Sequence, residues 1–317
     1  MGQTTIYYAA DIHGSERCWR KFLNAATFYG ADVLILGGDV TGKVLVPIVR
    51  RGGGWIGRIL GEVRRAETEE ELERLKDVLR TNGMYPYVCD EDEYERLERD
   101  HAYMRSVFSR QMRSHLERWI GLADDRLRGS GVEVYVMPGN DDEFGVEDVI
   151  EQSEVVVNPE GRVVEIADGQ LEMVSLGWAN PTPWHSPREC PDEELGERIR
   201  AMLPGLSGSK PALFNLHVPP HGSGLDWAPL LTEDLRPVQA GGEVQMVPVG
   251  SQAVDAVLRE HQPLLGLHGH IHESRGSARI GSTLSLNPGS RYGEGVLDGA
   301  LVTIRRGKVT SYQLVSG

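Results

Sequence analysis

The sequence predicts an α/β fold in which parallel strands end at one edge of a sheet. The first observation is a strand–helix–strand unit: residues 5–10 and 31–36 are short apolar runs, and residues 15–28 repeat apolar side chains at helical spacing. Such a βαβ unit contains a parallel strand pair. The second observation is a set of later apolar runs, each followed at once by a polar or glycine-containing segment. These runs are residues 132–137, 211–216 and 263–267.

Length and composition describe a globular chain with a substantial core. The chain has 317 residues, of which 40% are hydrophobic and 25% are charged, and we treat residues 1–317 as a single domain. The formal net charge of −14 argues against a broad basic face for duplex nucleic acid, so such a partner is not expected. It does not exclude a phosphate-bearing substrate, because bound cations reverse the local field.

Cysteine usage and hydropathy predict a cytoplasmic protein. The cysteines, Cys18, Cys89 and Cys190, are far apart and odd in number, so neither a disulfide framework nor a cysteine zinc site is predicted. The amino terminus lacks a basic segment followed by an apolar one, and no apolar run approaches the length of a bilayer span. We therefore expect no membrane partner, and the sequence leaves the oligomeric state open.

The elements follow in order. Ser15 is expected to cap the first helix, and Gly30 to end it. Residues 43–130 then change in character, with helical apolar stripes over residues 67–80 and 94–127. A capping box at residues 90–93 is expected to open the longer helix.

The glycines at 52–54 are interpreted as a flexible breaker or as a loop that another segment approaches closely. Residues 43–130 are accordingly predicted to form a helical insertion, or cap, within the main domain.

The rest of the chain alternates short strands, helices and loops. Strands are predicted at 132–137, 155–157, 163–166, 171–176, 211–216 and 283–286, with two more at the carboxyl end, and helices at 193–202 and 252–259. Residues 177–184 form a loop rich in Pro and Trp, and residues 221–250 a long loop rich in Gly and Pro. Loops of that length in a compact domain are usually functional or mobile.

Five of the predicted strands end in a polar signature. In chain order these are Asp11-x-His13, Gly38-Asp39, Gly139-Asn140-Asp141, His217 and Gly269-His270-x-His272. Taken singly, each has an ordinary explanation as a helix-terminal anion, a turn residue or a loop histidine. Together they place carboxylate, amide and imidazole groups at one sheet edge, where α/β folds bind ligands. Imidazole is the commonest metal ligand in proteins, so the edge is a candidate metal site.

The order of these motifs resembles that of the calcineurin-like metallophosphoesterase superfamily, whose pattern is DxH, GD, GN, H and GHxH. The resemblance extends over residues 11–272 and is strongest to the compact prokaryotic members. It implies a four-layer α-β-β-α sandwich with the site at one sheet edge, here carrying a helical insertion.

The resemblance also implies two divalent metal ions. One would be held by Asp11, His13, Asp39 and His272, and the other by Asp39, Asn140, His217 and His270. Carboxylate, amide and imidazole ligands suit Mn²⁺, Fe²⁺, Ni²⁺ or Zn²⁺. Two such ions would share a water, and the resulting metal-bridging hydroxide would attack phosphorus. Asn140 and His217 would also contact the phosphoryl group of the substrate, and Asn140 would take part in catalysis.

One position departs from the family pattern. Many members carry His directly after Gly-Asn as the proton donor, but here Asp141 takes that place and is followed by Asp142. A carboxylate beside cations is a poor acid unless it is buried, so the catalytic role carried to Asp141 is open, and it or Asp142 could instead orient a ligand by hydrogen bonding. His221 and His268 are the alternative acids, and His268 could also support a ligand. Arg291 is expected either to bind phosphate bidentately or to form a surface salt bridge.

The expected function is that of a metal-dependent phosphoesterase acting on a phosphodiester or a phosphomonoester of a small or nucleotide-like molecule. Two alternatives remain. One is a nuclease of the same superfamily, which the acidic chain disfavours for duplex DNA. The other is a non-catalytic scaffold of the same fold that binds a protein partner through the helical insert. The insertion lies between the second and third motifs, so it could overhang the sheet edge and restrict substrate size.

Overall fold

The computed structural model describes residues 2–59 and 61–317. The strands are β1 (Gln3–Ala9), β2 (Val33–Gly37), β3 (Val44–Arg51), β4 (Gly54–Ile59), β5 (Glu62–Ala66), β6 (Met84–Cys89), β7 (Glu133–Met137), β8 (Val156–Val157), β9 (Arg162–Ile166), β10 (Leu171–Leu176), β11 (Ala212–Leu216), β12 (Trp227–Pro229), β13 (Gln239–Ala240), β14 (Glu243–Val244), β15 (Met246–Pro248), β16 (Leu265–Leu267), β17 (Gly276–Ile280), β18 (Thr283–Asn287), β19 (Asp298–Arg305) and β20 (Lys308–Ser316). The helices are α1 (Glu16–Tyr29), α2 (Glu69–Thr81), α3 (Glu91–Arg99), α4 (His101–Leu127), α5 (Val146–Ile150), α6 (Asp192–Met202) and α7 (Gln252–His261).

Two six-stranded sheets form the centre of the molecule. Their strand orders are β20-β19-β1-β2-β7-β8 and β17-β18-β16-β11-β10-β9. Parallel pairing joins β1 to β2 and β2 to β7 in the first sheet, and β10, β11, β16 and β18 in the second. The predicted mixed α/β fold is therefore confirmed, and the carboxyl ends of the parallel strands gather at one edge of each sheet.

Three groups of buried apolar side chains hold these elements together. Tyr8 of the first sheet and Leu213 of the second belong to a cluster formed by both sheets. Trp19 of α1 stacks on Trp119 of α4, with ring centroids 5.2 Å apart, in a cluster shared with the first sheet. Leu258 of α7 packs in a third cluster, which joins α6 and α7 to the second sheet. Among the described residues, no helix is both long enough and apolar enough to span a bilayer.

The expectation of a helical insertion is wrong for the first half of residues 43–130. That half contains a four-stranded sheet of order β5-β4-β3-β6, with α2 between β5 and β6. Gly52 and Gly53 have φ of 61° and 85° and form the turn between β3 and β4, so these glycines close a hairpin and are not a flexible breaker. The strand signal was missed because the apolar run of β3 does not alternate with polar residues and contains Pro47, whereas the leucines of α2 form a clear helical stripe.

The helices of the insertion follow the predicted pattern with one difference. Asp90 caps α3 by accepting a hydrogen bond from the backbone N–H of Glu93 at 2.8 Å. The predicted long helix is divided at Asp100, whose carboxylate caps α4 by accepting from the N–H of Tyr103 at 2.9 Å. Both caps satisfy backbone donors at a helix start. Gly129, with φ of 71°, follows the end of α4 as expected.

The insertion packs directly on the loop that carries the first motif. The Ser15 hydroxyl donates to the carbonyl of Thr81 at 2.6 Å, at the end of α2. A Cβ added at Gly83 would collide with the carbonyl oxygen of His13, and one added at Gly42 would collide with the carbonyl of Gly83. The backbones of these three segments are therefore in contact, and the insertion is fixed next to the sheet edge.

Candidate metal centre

Strained backbone turns carry the candidate ligands away from their strand ends. Asp11, His13, Asp39 and His270 have φ of 56°, 39°, 51° and 66°. Residues other than glycine pay about 1–2 kcal/mol for a left-handed conformation, so four such residues in one region indicate a structure held for function. Backbone hydrogen bonds hold the turns: the N–H of Asp11 donates to the carbonyl of Gly38 at 3.0 Å, and the N–H of His13 to that of Asp39 at 2.9 Å.

The structure brings all seven predicted metal ligands together. Asp11, His13 and His272 place donor atoms within 4.8 Å of one another, and Asp39, His217 and His270 do the same. The Oδ1 atom of Asn140 lies 3.1 Å from Nε2 of His217 and so joins the second group. Asp11, His13, Asp39, Asn140 and His217 are each 2% exposed or less.

Asp39 lies between the two groups. Its Oδ2 atom is 3.6 Å from Nε2 of His13, and its Oδ1 atom is 3.5 Å from Nε2 of His217. The backbone N–H of Asp141 donates to Oδ1 at 3.0 Å and fixes the carboxylate. Its two carboxylate oxygens therefore face different histidines.

Asp11 is anchored from the opposite loop. Both carboxylate oxygens lie 3.0 Å from the backbone N–H of His270, and Oδ1 is 3.5 Å from Nε2 of His272. The hydroxyl of Ser290 donates to the carbonyl of Asp11 at 2.6 Å. The first and last motifs of the chain are thus joined by direct hydrogen bonds.

The electrostatics of the centre favour cations. Burial acts to raise the pKa of both Asp11 and Asp39. At Asp11 the neighbouring His272 and His217 outweigh burial and lower the pKa. At Asp39 the neighbouring His217 and His13 outweigh it and hold the pKa well below its usual value. Burial lowers the pKa of His13 to about 3 and that of His270 to about 4. Ionised carboxylates therefore stand beside neutral imidazoles, which are the protonation states that bind metal.

Two of the four histidines are exceptions. Burial opposes protonation of His272, but Asp11 raises its pKa. The larger shift is that of His217. Burial opposes its protonation, but Asp39 and Asp11, together with the carbonyl of Gly37, raise its pKa to about 10. Nδ1 of His217 donates to the carbonyl of Gly37 at 2.8 Å. This bond directs Nε2 towards Asp39 and Asn140, and such a backbone partner is the usual way in which a metal-binding histidine is oriented.

The donor set and its spacing fit divalent metal ions. Nε2 of His13 and Nε2 of His272 are only 3.1 Å apart, and a cation held by both nitrogens would satisfy each of them. Mixed carboxylate, imidazole and amide oxygen ligands suit first-row ions such as Mn²⁺, Fe²⁺ or Zn²⁺. The Asp and His clusters therefore have the composition of a divalent metal site.

Asp141 and Lys43 lie together at the rim of the centre. Asp141 is grouped with His13 and Asp39 as a third set of donors within 4.8 Å. Burial and the charge of Asp39 raise its pKa to about 6, although its ion pair with Lys43 opposes the shift. Asp141 is half-buried, and a cation bound at the neighbouring ligands would lower this pKa again.

Asp142 holds two ligand loops against each other. Oδ2 accepts from the backbone N–H groups of Val40 at 2.9 Å and Gly139 at 2.7 Å, and Oδ1 accepts from the N–H of Thr41 at 2.7 Å. The Thr41 hydroxyl also donates to Oδ1. Asp142 thus connects the loop after Asp39 with the loop before Asn140, without itself being one of the metal-binding groups.

The remaining predicted residues lie outside the centre. His268 is fully buried, with Nδ1 2.8 Å from the carbonyl of Leu216, and burial lowers its pKa to about 4. His221 is partly exposed, with Nδ1 3.8 Å from Asp226. Arg291 forms a bidentate pair with Asp298 at 2.9 and 2.7 Å. Of the two expectations for Arg291, the structure has the salt bridge.

Sequence reasoning missed four contributors. Lys43 pairs with Asp141, the Ser186 hydroxyl accepts from the Asn140 amide at 2.7 Å, and the Tyr292 ring lies 4.7 Å from the His13 ring. Arg188 donates to the carbonyl of Asp142 at 3.0 Å and pairs with Glu147. None of the four stands in one of the strand-end motifs, so only the folded chain reveals them.

Comparisons with known proteins agree with this fold. No protein-family model matches the chain. The uncharacterized protein MJ1162 of Methanocaldococcus jannaschii is 25% identical over 159 residues, which are 50% of this chain and 64% of that protein, so the match spans less than two thirds of the relative. Two solved structures have TM-scores of 0.55 and 0.52, each at 14% identity. The first match covers 98% of this chain and 99% of the other chain. The second structure, TT1561 of Thermus thermophilus, matches over 99% of this chain and 98% of its own.

At 14% identity these two matches show a shared fold. The clustered Asp, His and Asn side chains lie together, as the order of the motifs predicted.

Proposed function

We propose that the protein is a dinuclear metal-dependent phosphoesterase that hydrolyses a phosphodiester or a phosphomonoester of a small or nucleotide-like molecule. The observation that carries the proposal is the position of Asp39 between two groups of donor atoms, 3.6 Å from His13 and 3.5 Å from His217. A carboxylate between two clusters is placed to serve both of two neighbouring ions.

The donor residues divide between two ions. The first ion would be held by Asp11, His13, Asp39 and His272, and the second by Asp39, Asn140, His217 and His270. When bound, a pair of divalent ions activates water and neutralises charge on a phosphoryl group. Mn²⁺ is the first ion to test, because it accepts both oxygen and imidazole ligands.

The chain's own groups orient and complement the phosphoryl group. The Asn140 amide is held by Ser186, so its Oδ1 atom stays directed at His217. The ammonium of Lys43, at the rim of the centre, supplies a positive charge where negative charge develops on oxygen. Asp141 is paired with this ammonium; burial and the charge of Asp39 raise its pKa, bound ions would lower it, and we infer that its part is to position Lys43.

Metal analysis combined with kinetics tests the proposal. The purified protein is expected to bind two ions per chain by elemental analysis and to hydrolyse bis(p-nitrophenyl) phosphate or p-nitrophenyl phosphate in Mn²⁺. Asp39→Asn removes one charge from the bridge, so kcat/KM should fall by more than roughly 100-fold, the upper range seen for mere supporting residues. Asp125→Asn, an exposed aspartate on α4, is the matched control and should retain activity.

Three results would separate the alternatives. Full metal loading without hydrolysis of any phosphoester would favour a non-catalytic scaffold. Activity that persists undiminished in Asp39→Asn would reject the bridged centre. Preferential cleavage of single-stranded nucleic acid over both small esters would identify a nuclease.

A further inference from the structure

A groove in the insertion opens beside the metal centre. It lies between β3 and the helices α3 and α4, and its volume is about 480 Å³, within the range of small-molecule sites. Its apolar walls are formed by Leu45, Pro47, Tyr94, Leu97, Met104 and Phe108. Glu98 and Arg105 contribute polar groups, and Lys43 also lines the groove.

The groove presents apolar surface that the protein does not fill. Successive side chains of β3 point to opposite faces, so Val46 and Ile48 pack against α2 in a separate core. Leu45 and Pro47 are left on the groove side and are only half-buried, as is Met104 of α4. Removing such surface from water is favourable, so a ligand with an apolar part would bind there.

Lys43 connects the groove to the metal centre. It is a lining residue of the groove, and its ammonium is paired with the carboxylate of Asp141. The backbone N–H of Asp141 donates to Oδ1 of Asp39 at 3.0 Å. Direct contacts through Lys43 and Asp141 therefore link the groove to Asp39.

We propose that this groove binds an apolar, ring-containing substituent of the phosphoester substrate while the phosphoryl group lies at the metal centre. The inference rests on the proposed function. The Lys43 ammonium complements the phosphate, whereas Tyr94, Met104 and Phe108 offer the aromatic and sulfur contacts that a ring prefers. The substrate class is thus an arylalkyl or similarly apolar phosphoester, distinguished from esters of small polar alcohols by the insertion.

Matched ester pairs test this preference. Dibenzyl and dimethyl phosphate, and benzyl and methyl phosphate, release alcohols of similar acidity, so their kcat/KM ratios report binding of the ring. The wild-type protein should favour the benzyl ester by about ten-fold or more. Tyr94→Ala and Met104→Ala should bring the ratio towards one, and Tyr312→Ala, an exposed tyrosine on β20, should keep the wild-type ratio. Circular dichroism verifies that each variant is folded.

A binding measurement provides a readout that does not depend on turnover. In protein labelled at the methionine methyl groups and loaded with Zn²⁺, benzylphosphonate should shift the Met104 signal, and methylphosphonate should not. Met104→Leu identifies that signal among the eight methionines.

The outcomes separate the two proposals. A Met104 shift without hydrolysis of any ester would reject the proposed function and support the groove. Hydrolysis with equal use of benzyl and methyl esters, or without a Met104 shift, would reject the groove and leave the phosphoesterase standing.

Discussion

Asp142 shows how a single buried carboxylate can support a whole centre. Its two oxygens accept four hydrogen bonds from Val40, Thr41 and Gly139. In Asp142→Asn, an NH₂ group replaces one of the two oxygens. Because both oxygens accept from donors, the NH₂ group faces an N–H donor in either orientation of the amide. Loss of these bonds should cost about 1–3 kcal/mol of unfolding free energy and lower metal affinity by roughly 10–100-fold. Urea unfolding and calorimetric metal titration measure both effects.

Asp148→Asn is the control for that substitution. Asp148 is exposed in the first turn of α5, so its replacement should change the unfolding free energy by less than about 1 kcal/mol. Unchanged metal affinity in Asp142→Asn would show that the two loops hold their positions without it.

At the residue scale, the sequence identifies the candidate ligands better than the residues that contact and orient them. Asp11 and His270 stand in short motifs whose chemistry is specific, and the structure brings them together. Lys43 and Ser186 are residue types found on every surface, and their roles follow only from the approach of distant segments. Whether Asp141 could hold a proton depended on its burial, which no motif encodes.

At the element scale, the insertion is coupled to the first motif through backbone contact. Gly83 has φ of 74°, and a Cβ there would collide with the carbonyl oxygen of His13. Gly83→Ala should therefore lower the unfolding free energy in two ways. The left-handed backbone costs about 1–2 kcal/mol for alanine, and displacement of the His13 backbone costs about 1–3 kcal/mol more. The substitution should also weaken metal binding, because His13 must move. Thermal unfolding and metal titration test this prediction.

Gly53→Ala is the matched control. Gly53 has φ of 85°, but a Cβ added there meets no other atom within 4 Å. Its substitution should lower the unfolding free energy only by the left-handed backbone strain and leave metal affinity unchanged. Equal effects of the two substitutions would show that the insertion is not seated on His13.

The elements of the insertion were only partly predictable. The leucines of α2 and the cap at Asp90 are strong local signals, and both are found where expected. The four-stranded sheet was missed because residues 44–49 are apolar at every position and include Pro47, so the sequence of β3 does not alternate, and β5 exposes most of its side chains. The division at Asp100 lies within a continuous apolar stripe, and only the capping bond of Asp100 distinguishes it.

At the scale of the whole molecule, the centre connects the two large sheets. Asp11 and Asp39 follow strands of the first sheet, whereas His217 and His270 follow strands of the second. Ions bound by both sets would therefore crosslink the sheets. At a free metal concentration of about 100 times Kd, binding should add roughly 2.7 kcal/mol to the unfolding free energy.

Metal removal tests this crosslink. Chelation with EDTA should lower the Tm of the wild-type protein, and adding Mn²⁺ or Zn²⁺ should restore it. Asp39→Asn should show a much smaller response. A wild-type Tm that is independent of metal would mean that the sheets are held together by their apolar cluster alone.

The stability of the molecule should also fall in mild acid because of a histidine that is not one of the candidate metal ligands. His115 of α4 is 3% exposed and packs against Tyr85 and Trp119. Burial, and then the charge of Arg118, lower its pKa to about 3. Arg118 donates to Nδ1 at 2.9 Å, which requires the neutral ring. Between that pKa and its ordinary value, the unfolded chain binds more protons at this position than the folded chain.

Protonation therefore favours unfolding as the pH falls below the ordinary histidine pKa. From about pH 7 to about pH 5, the loss attributable to His115 is about 2 kcal/mol of unfolding free energy. Urea unfolding of the wild-type protein and of His115→Gln at both pH values isolates it, because the other titrating groups are common to both. Gln retains an acceptor for Arg118 but does not titrate, so the variant should lose less stability in acid. Parallel losses in the two proteins would show that His115 is protonated in the folded state without penalty.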